Sequence, residues 1–433
     1  MAKDKLPPGL KLRQLAAVRL RDVFSGSSFA PFTAAEIADS RDRALANRLV
    51  TTALRRHGHL RLVVARLLDK GLPRKSGSFE AILHLSLAQL LYLPEMGDHS
   101  ALFLGVEALK RDPQARHLTG LLNAVLRRAQ AEAAELREAP LRLLFPDKLR
   151  EGWAARYGAD AVEAFGKALL EGAPLDLTLK HDNPALIELL GARPVAGDTV
   201  RIDTRDRPLD QLPGYADGRW WVQDAAAALP ARLLRLPKGS RVLDLCAAPG
   251  GKTAQLVKSG YDVTALDNDP QRLERLRGNL QRLGYAARVV EADGLLYRPE
   301  TPFSGILLDA PCSATGTFRR HPEVVWHRSA GDIAGRVTLQ RRFIANAAAS
   351  LEPGGTLVYC VCSLEEGEGE AQARWIAEAH PELVPDPVTP EELEGFAAAV
   401  TANGAVRTHP ALPVPGGSDG AVDGFFIARF RRR

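Results

Sequence analysis

Cysteine is scarce in these 433 residues, with four in all, and methionine is scarcer still, with two. Four thiols in a chain of this length do not make the disulfide framework of a small secreted domain. Cys246, Cys312, Cys360 and Cys362 all lie in the second half and none belongs to a C-x-x-C pair, which argues against structural zinc. Apolar runs approaching the roughly 18 residues that span a bilayer are also missing. The opening Met-Ala-Lys-Asp-Lys-Leu-Pro-Pro has no uninterrupted apolar segment of the kind a secretory signal carries. These absences predict a soluble, cytoplasmic chain with no metal and no membrane attachment, and a monomer is the default expectation.

Acidic residues are under-represented at the front. Residues 1–140 hold 22 Lys and Arg against 14 Asp and Glu, whereas the remainder holds 35 against 38. A clustered basic excess attracts phosphate backbones, although a solvated helical surface gives the same count. What is abundant is ordinary core material, 45% hydrophobic residues, enough for about three domains of roughly 150 residues.

Residues 1–135 read as helix after helix. Ile82, Leu83, Leu87, Leu90 and Leu91 crowd one segment, and Leu102, Val106 and Leu109 recur at helical spacing in the next. Residues 131–146, charged and bounded by prolines, suit a linker helix. Residues 136–235 then mix an amphipathic helix over Trp153–Leu170 with extended stretches at Leu175–Lys180 and Thr199–Asp203, a small α/β subdomain. Over 236–433 strands alternate with helices, the pattern of a doubly wound, mostly parallel sheet. Arg241–Leu245, Asp262–Leu266, Ala287–Val290, Ser304–Leu308 and Gly355–Cys360 are the candidate strands, and each ends beside a residue with chemistry to offer. Ligands of open α/β sheets bind outside the carboxyl ends of the strands, so these residues are expected to share one crevice.

The segment from Val242 to Thr253 runs from a strand through Cys246-Ala247-Ala248-Pro249-Gly250-Gly251-Lys252 into a helix. Adjacent glycines let a ligand approach the backbone closely. A P-loop would need glycine where Cys246 stands, and the dinucleotide pattern GxGxxG is absent. A loop cupping the methionine half of S-adenosylmethionine has neither defect. Asp267 closes the second strand 23 residues after Asp244, where a carboxylate can accept from both ribose hydroxyls, and Asp293 ends the third, placed for the exocyclic amine of adenine. Taken singly, each is an ordinary turn residue.

Two further strand ends carry thiols: Asp309-Ala310-Pro311-Cys312-Ser313 and Tyr359-Cys360-Val361-Cys362-Ser363. A single buried cysteine is usually a small hydrophobe, the reading kept for Cys360 and for the thiol of Cys246. Two thiols at neighbouring strand ends suggest covalent chemistry.

Asp244–Thr253, Asp309–Gly316 followed by Phe318–Glu323, Tyr359–Ser363 followed by Glu368-Gly369-Glu370, and the late Asp423–Ala428 together resemble the RNA cytosine-C5 methyltransferases over about residues 220–430. Leu49-Val50, Asp98-His99-Ser100 and Asn123–Arg127 in the front segment resemble the NusB-type helical RNA-binding domain, which narrows the likeness to the branch that modifies small-subunit (16S) ribosomal RNA. The resemblance implies a Rossmann-like methyltransferase domain with an antiparallel last strand, preceded by an all-α NusB-like domain and the small α/β subdomain. It further implies Cys362 as the nucleophile, Cys312 as the thiol that assists product release and Asp309 as a contact to the base. The cofactor residues it implies are Cys246–Lys252, Asp267, Asp293 and Asp309, with S-adenosylmethionine as cofactor and ribosomal RNA as partner. Val361 stands where that family usually has threonine, so no hydroxyl is available there. DNA cytosine methyltransferases also use a Pro-Cys thiol, and the second cysteine at Cys362 is what favours the RNA enzymes. A non-catalytic RNA-binding factor and a nucleotide hydrolase are the competing readings, weakened by the intact Asp309, Cys312 and Cys362 set and by Cys246 respectively.

Overall fold

The computed structural model describes residues 6–202, 207–417 and 420–433. The first five residues of the opening and Asp203 of the expected strand Thr199–Asp203 lie outside that set. The described residues form two compact units, one of residues 6–170 with 321–327, the other of 171–320 with 328–433.

The first unit is helical. Helices Leu10–Phe24, Ser40–Arg55, His57–Leu67, Phe79–Tyr92, Asp98–Lys110 and Thr119–Ala131 enclose one leucine-rich core. Phe79–Tyr92 is apolar on every side and is its central element, as Leu83, Leu87, Leu90 and Leu91 predict. In Asp98–Lys110 the buried stripe is Ala101, Leu104, Gly105 and Ala108 with Leu109, while Leu102 and Val106 only flank it. Helical spacing thus located the helix but chose a stripe displaced from the one that packs. The expected linker helix is a short helix, Ala133–Arg137, and a turn of 3-10 helix, Leu141–Leu144, and both bury leucine against the bundle. The single helix expected over Trp153–Leu170 is two, Asp147–Tyr157 and Ala159–Glu171, interrupted by Gly158 at φ 90°. A left-handed residue cannot continue a right-handed helix.

A pair of buried histidines marks this unit. His57 and His84 stack at 5.2 Å, and Phe24 packs on both. Burial outweighs the contact of His84 Nδ1 with the Glu80 carbonyl and pulls its pKa down to about 4, and burial lowers His57 as well. Neutral rings are therefore part of the folded state. Stability is complete above the ordinary value near 6.5 and is lost as pH falls from there towards 4, by on the order of 3 kcal/mol for His84. Urea midpoints of the protein at pH 7, 5.5 and 4.5 are expected to decline along this course, and His84→Leu to flatten the decline. An unaltered slope in that variant would remove His84 as the cause.

The second unit holds two sheets. The smaller is antiparallel, order β2-β3-β1-β4, from β1 (Leu175–Leu179), β2 (Arg193–Ala196), β3 (Thr199–Ile202) and β4 (Trp220–Val222). Arg201 on β3 and Asp176 on β1 form a fully buried bidentate pair at 2.7 and 2.9 Å, and Arg201 also donates to the Ala421 carbonyl. These contacts tie the small sheet to the residues that follow it and explain why it groups with them, whereas the helices over 147–171 group with the bundle.

The larger sheet has β5 (Arg241–Leu245), β6 (Asp262–Asp267), β7 (Arg288–Glu291), β8 (Phe303–Asp309), β9 (Leu351–Val361), β10 (Leu383–Pro385), β11 (Val406–Thr408) and β12 (Phe425–Arg432). The order is β10-β12-β9-β8-β5-β6-β7, with β11 also on β12. The run from β9 to β7 is parallel, and β12 is antiparallel to β9. This is the Rossmann-like arrangement with a reversed last strand. Strand alternation sends Leu243, Leu245, Ile306 and Leu308 to one face, under helix Ala330–Ser350, and Val242, Leu307, Val358 and Cys360 to the other, against Leu256 and Leu234. Both faces being covered, the central strands are mostly apolar, with Asp244 on β5 an exception, and most of the chemistry is left to their ends.

Candidate active site

The carboxyl ends of β9, β8, β5, β6 and β7 lie side by side, and Cys362, Asp309, Cys246, Asp267 and Asp293 follow or close them in that order. The chain reverses direction of travel across the sheet between β5 and β8, the position where doubly wound folds bind ligands.

After β5, Cys246 takes a left-handed conformation at φ 67°, and its N–H and that of Ala247 both donate to the Leu266 carbonyl on β6. Gly250, at φ 98°, caps helix Gly251–Lys258, and a Cβ there would meet Leu276 at 2.9 Å. Nothing nearer than 3.7 Å would face a Cβ on Gly251. Asp267 fixes the far side of the turn: its two oxygens accept from the N–H groups of Ala248 at 3.1 Å and Asp269 at 3.2 Å. The carboxylate expected to serve a ribose thus also shapes the loop, and its remaining lone pairs are what a ligand could use. Asp293 is exposed and makes a local turn by accepting from Leu295 N–H at 2.9 Å.

Asp244 is fully buried within β5. Its Oδ2 accepts from Thr253 Oγ1 at 2.6 Å, and its Oδ1 is a buried oxygen without a hydrogen-bond partner among the described residues. Burial, only partly offset by the Thr253 hydroxyl, pushes its pKa up to about 7.

The thiols predicted to act together are together. Cys312 Sγ and Cys362 Sγ stand 3.4 Å apart, both half-buried and both reduced. The Cys362 thiol as hydrogen-bond partner, together with burial, lifts Cys312 well above the usual thiol range, so at neutral pH Cys312 keeps its proton. The loop after β8 is joined to the end of β9 by Ala310 N–H to the Cys360 carbonyl at 2.9 Å and Gly316 N–H to the Cys362 carbonyl at 3.0 Å. Gly316 also lies against Gly424, whose carbonyl oxygen would be 2.0 Å from any Cβ on it.

Asp309 Oδ2 accepts from Lys252 Nζ at 2.8 Å, while its Oδ1 accepts only the weak Cys360 thiol contact at 3.5 Å. Burial acts against the Lys252 ammonium, but Asp309 outweighs it and the net shift is upward, so Lys252 keeps its charge. Lys252 was expected as part of the cofactor loop. Its pairing with Asp309, 57 residues away, has no trace in sequence spacing. Cys360 is wholly buried in the core, and burial lifts its thiol well above the usual range, so it packs there as a neutral, small apolar side chain. Among the described residues, no group of three or more His, Cys, Asp or Glu could hold a metal ion, and no helix is long and apolar enough to cross a membrane.

Comparison with known proteins places this geometry in context. Residues 231–431 match the model of the family described as 16S rRNA methyltransferase RsmB/F, and residues 11–131 match that of the NusB family. A ribosomal RNA small subunit methyltransferase B of Xanthomonas campestris is 38% identical over 86% of this chain and 89% of its own length. Its counterpart in Klebsiella pneumoniae is 35% identical over 98% of this chain and 99% of its own. A solved methyltransferase homologue from Pyrococcus horikoshii shares the fold with a TM-score of 0.55 and 26% identity, covering 67% of this chain and 98% of that one.

Proposed function

The chain belongs to the ribosomal RNA small subunit methyltransferase B family, and we propose that it methylates carbon 5 of a cytosine in small-subunit ribosomal RNA, in the cytoplasm, through a transient bond from Cys362 to carbon 6. The observation that carries this reading is the pair of thiols 3.4 Å apart beside the Lys252–Asp309 pair, at the ends of adjacent strands. S-adenosylmethionine is the cofactor, and when bound it supplies an electrophilic methyl group on a sulfonium. The residues present fit it: a glycine turn open at Gly251, the unpartnered Oδ1 of Asp244 below that turn, and carboxylates at Asp267 and Asp293 for ribose and adenine.

Carbon 5 of cytosine is a poor nucleophile until something adds at carbon 6. A thiolate at Cys362 does so by forming the S–C6 bond and pushing the ring electrons towards carbon 5. Cys312, holding its proton, can donate S–H towards Cys362 Sγ. Asp309, held through Oδ2 by Lys252, has Oδ1 available for the base. Once carbon 5 carries the methyl group, a water molecule takes its proton, the C5–H electron pair forms the C5=C6 double bond, and the S–C6 pair leaves on the Cys362 sulfur, which the Cys312 S–H steadies by hydrogen bonding. We assign Cys312 to this release step.

Incubating the protein with labelled cofactor and unmodified small-subunit RNA, then mapping the label, tests the reading; label at an exocyclic amine or a ribose would refute it. For the cofactor side, Asp267→Ala should weaken S-adenosylmethionine binding by about 1.5–3 kcal/mol, from lost charge-assisted hydrogen bonds. Calorimetry without RNA reads this directly, and unchanged affinity would remove Asp267 from the site.

A further inference from the structure

The residue following each thiol is a serine, and one buried carboxylate holds both. Glu368 is wholly buried. Its Oε1 accepts from Ser313 N–H at 2.9 Å and Gln340 Nε2 at 2.9 Å, and its Oε2 accepts from Ser363 Oγ at 2.6 Å and from Ser313 Oγ. Two donors on each oxygen saturate a carboxylate. The two serine hydroxyls are themselves 3.0 Å apart. Behind the carboxylate, Tyr359 on β9 donates to the Glu368 carbonyl at 2.6 Å and to Gln340 Oε1 at 3.2 Å, and Gln340 Nε2 also reaches the Pro311 carbonyl at 3.1 Å. Three separate stretches of chain are thereby closed on one point: the loop after β8, the end of β9 and the long helix over 330–350.

We infer that Glu368 is a positioning residue that latches the two cysteine loops together through Ser313 and Ser363, setting the distance between the Cys312 and Cys362 thiols. The inference rests on the function proposed above only for its kinetic consequence. A buried carboxylate satisfied by four donors on two loops and one helix has no role as a solvated acid, and it touches neither thiol. Its hydrogen bonds end one residue beyond each sulfur, where a small shift of either loop changes the thiol separation directly. Misplacement of reacting groups by about 1 Å can cost on the order of a hundredfold in rate.

The test uses the whole protein carrying Glu368→Gln, which keeps shape but turns an N–H group towards donors, and separately Ser363→Ala, which keeps the carboxylate and cuts one arm. Dibromobimane, which fluoresces strongly once both its arms have alkylated thiols with loss of two bromides, reports the separation without reference to any reaction, and peptide mass spectrometry assigns the bridge to Cys312 and Cys362. In the wild type this bridge should form rapidly. In both variants bridging should slow by about tenfold while alkylation by monofunctional iodoacetamide stays near the wild-type rate, as expected when proximity alone is lost. Single-turnover methylation should fall about a hundredfold with cofactor affinity and the KM for RNA nearly unchanged, the signature of lost transition-state geometry. If Glu368→Gln fails to bind cofactor, Ser363→Ala carries the test. Wild-type bridging in the folded variants, or slowed bridging with undiminished methylation, overturns the latch. A wild-type protein that bridges normally but transfers no methyl group to RNA refutes the proposed function and leaves the latch to be judged by bridging alone.

Discussion

Cys362→Ala is expected to transfer no methyl group to RNA while still binding both RNA and cofactor. Without a thiolate to add at carbon 6, carbon 5 keeps its aromatic electrons, and neither Cys360, wholly buried, nor Cys312, which keeps its proton, is expected to take over the attack. Cys312→Ala should behave differently. The bond from Cys362 to the base can still form, but the step that frees the product loses its assistant. A protein–RNA adduct resistant to detergent should therefore accumulate with Cys312→Ala in the presence of cofactor, and be absent from Cys362→Ala and from the double variant. The roles are those the family resemblance implies, and Cys312, kept protonated by its partner and by burial 3.4 Å from Cys362, is compatible with them. An adduct from Cys362→Ala and none from Cys312→Ala would exchange the two assignments. Full activity in both variants would end the covalent mechanism.

The second large effect is on stability. Arg319 and Arg320, just after the Pro-Cys loop, meet Asp224 and Asp423 in a compact cluster: Arg319 donates to Asp224 at 2.8 Å and to Asp423 at 2.7 Å, and Arg320 to Asp224 at 2.9 Å and to Asp423 at 3.0 Å. Arg319 is wholly buried, so its charge is tolerable only because two carboxylates surround it. Asp423→Ala leaves an excess buried positive charge and is expected to cost about 3–5 kcal/mol. Burial raises the Asp224 pKa, but Arg319 and Arg320 overcome this and bring it to about 2. A carboxylate depressed in the folded state contributes stability above its ordinary value near 4, and that contribution fades only as pH falls through about 2. Denaturant unfolding of the second unit at pH 7 should show the Asp423→Ala penalty in full. A penalty under about 1 kcal/mol would mean that solvent reaches Arg319.

Much of the fold was legible because it is written in local patterns. Apolar runs bounded by glycine, proline and aspartate located the five parallel strands to within a few residues, and leucines at helical spacing located the bundle. The strand ends were legible for the same reason: a polar residue after an apolar run has to leave the core. That places Asp267, Asp309, Cys312 and Cys362 on one edge of the sheet, and resemblance in the motifs implies which thiol attacks.

Other features depend on partners far away in sequence. Gly158 divides a helix that amphipathic spacing shows as continuous, since one left-handed residue is invisible to a periodicity. The buried stripe of Asp98–Lys110 was decided by which neighbours it meets, and the helices over 147–171 by the bundle they pack on. Glu368 is the clearest case. In sequence it belongs to the Glu368-Gly369-Glu370 motif that carries part of the family resemblance, and its burial appears only when Ser313, 55 positions back, arrives to share it with Ser363. Lys252 and Asp309 meet in the same way. The sequence alone determined which side chains lie at the strand ends, because strand alternation and apolar burial are local and act on each segment separately. Only the tertiary structure decided which of them touch, because hydrogen bonds and ion pairs in a low-dielectric interior are set by strand order and loop closure, which no single segment contains.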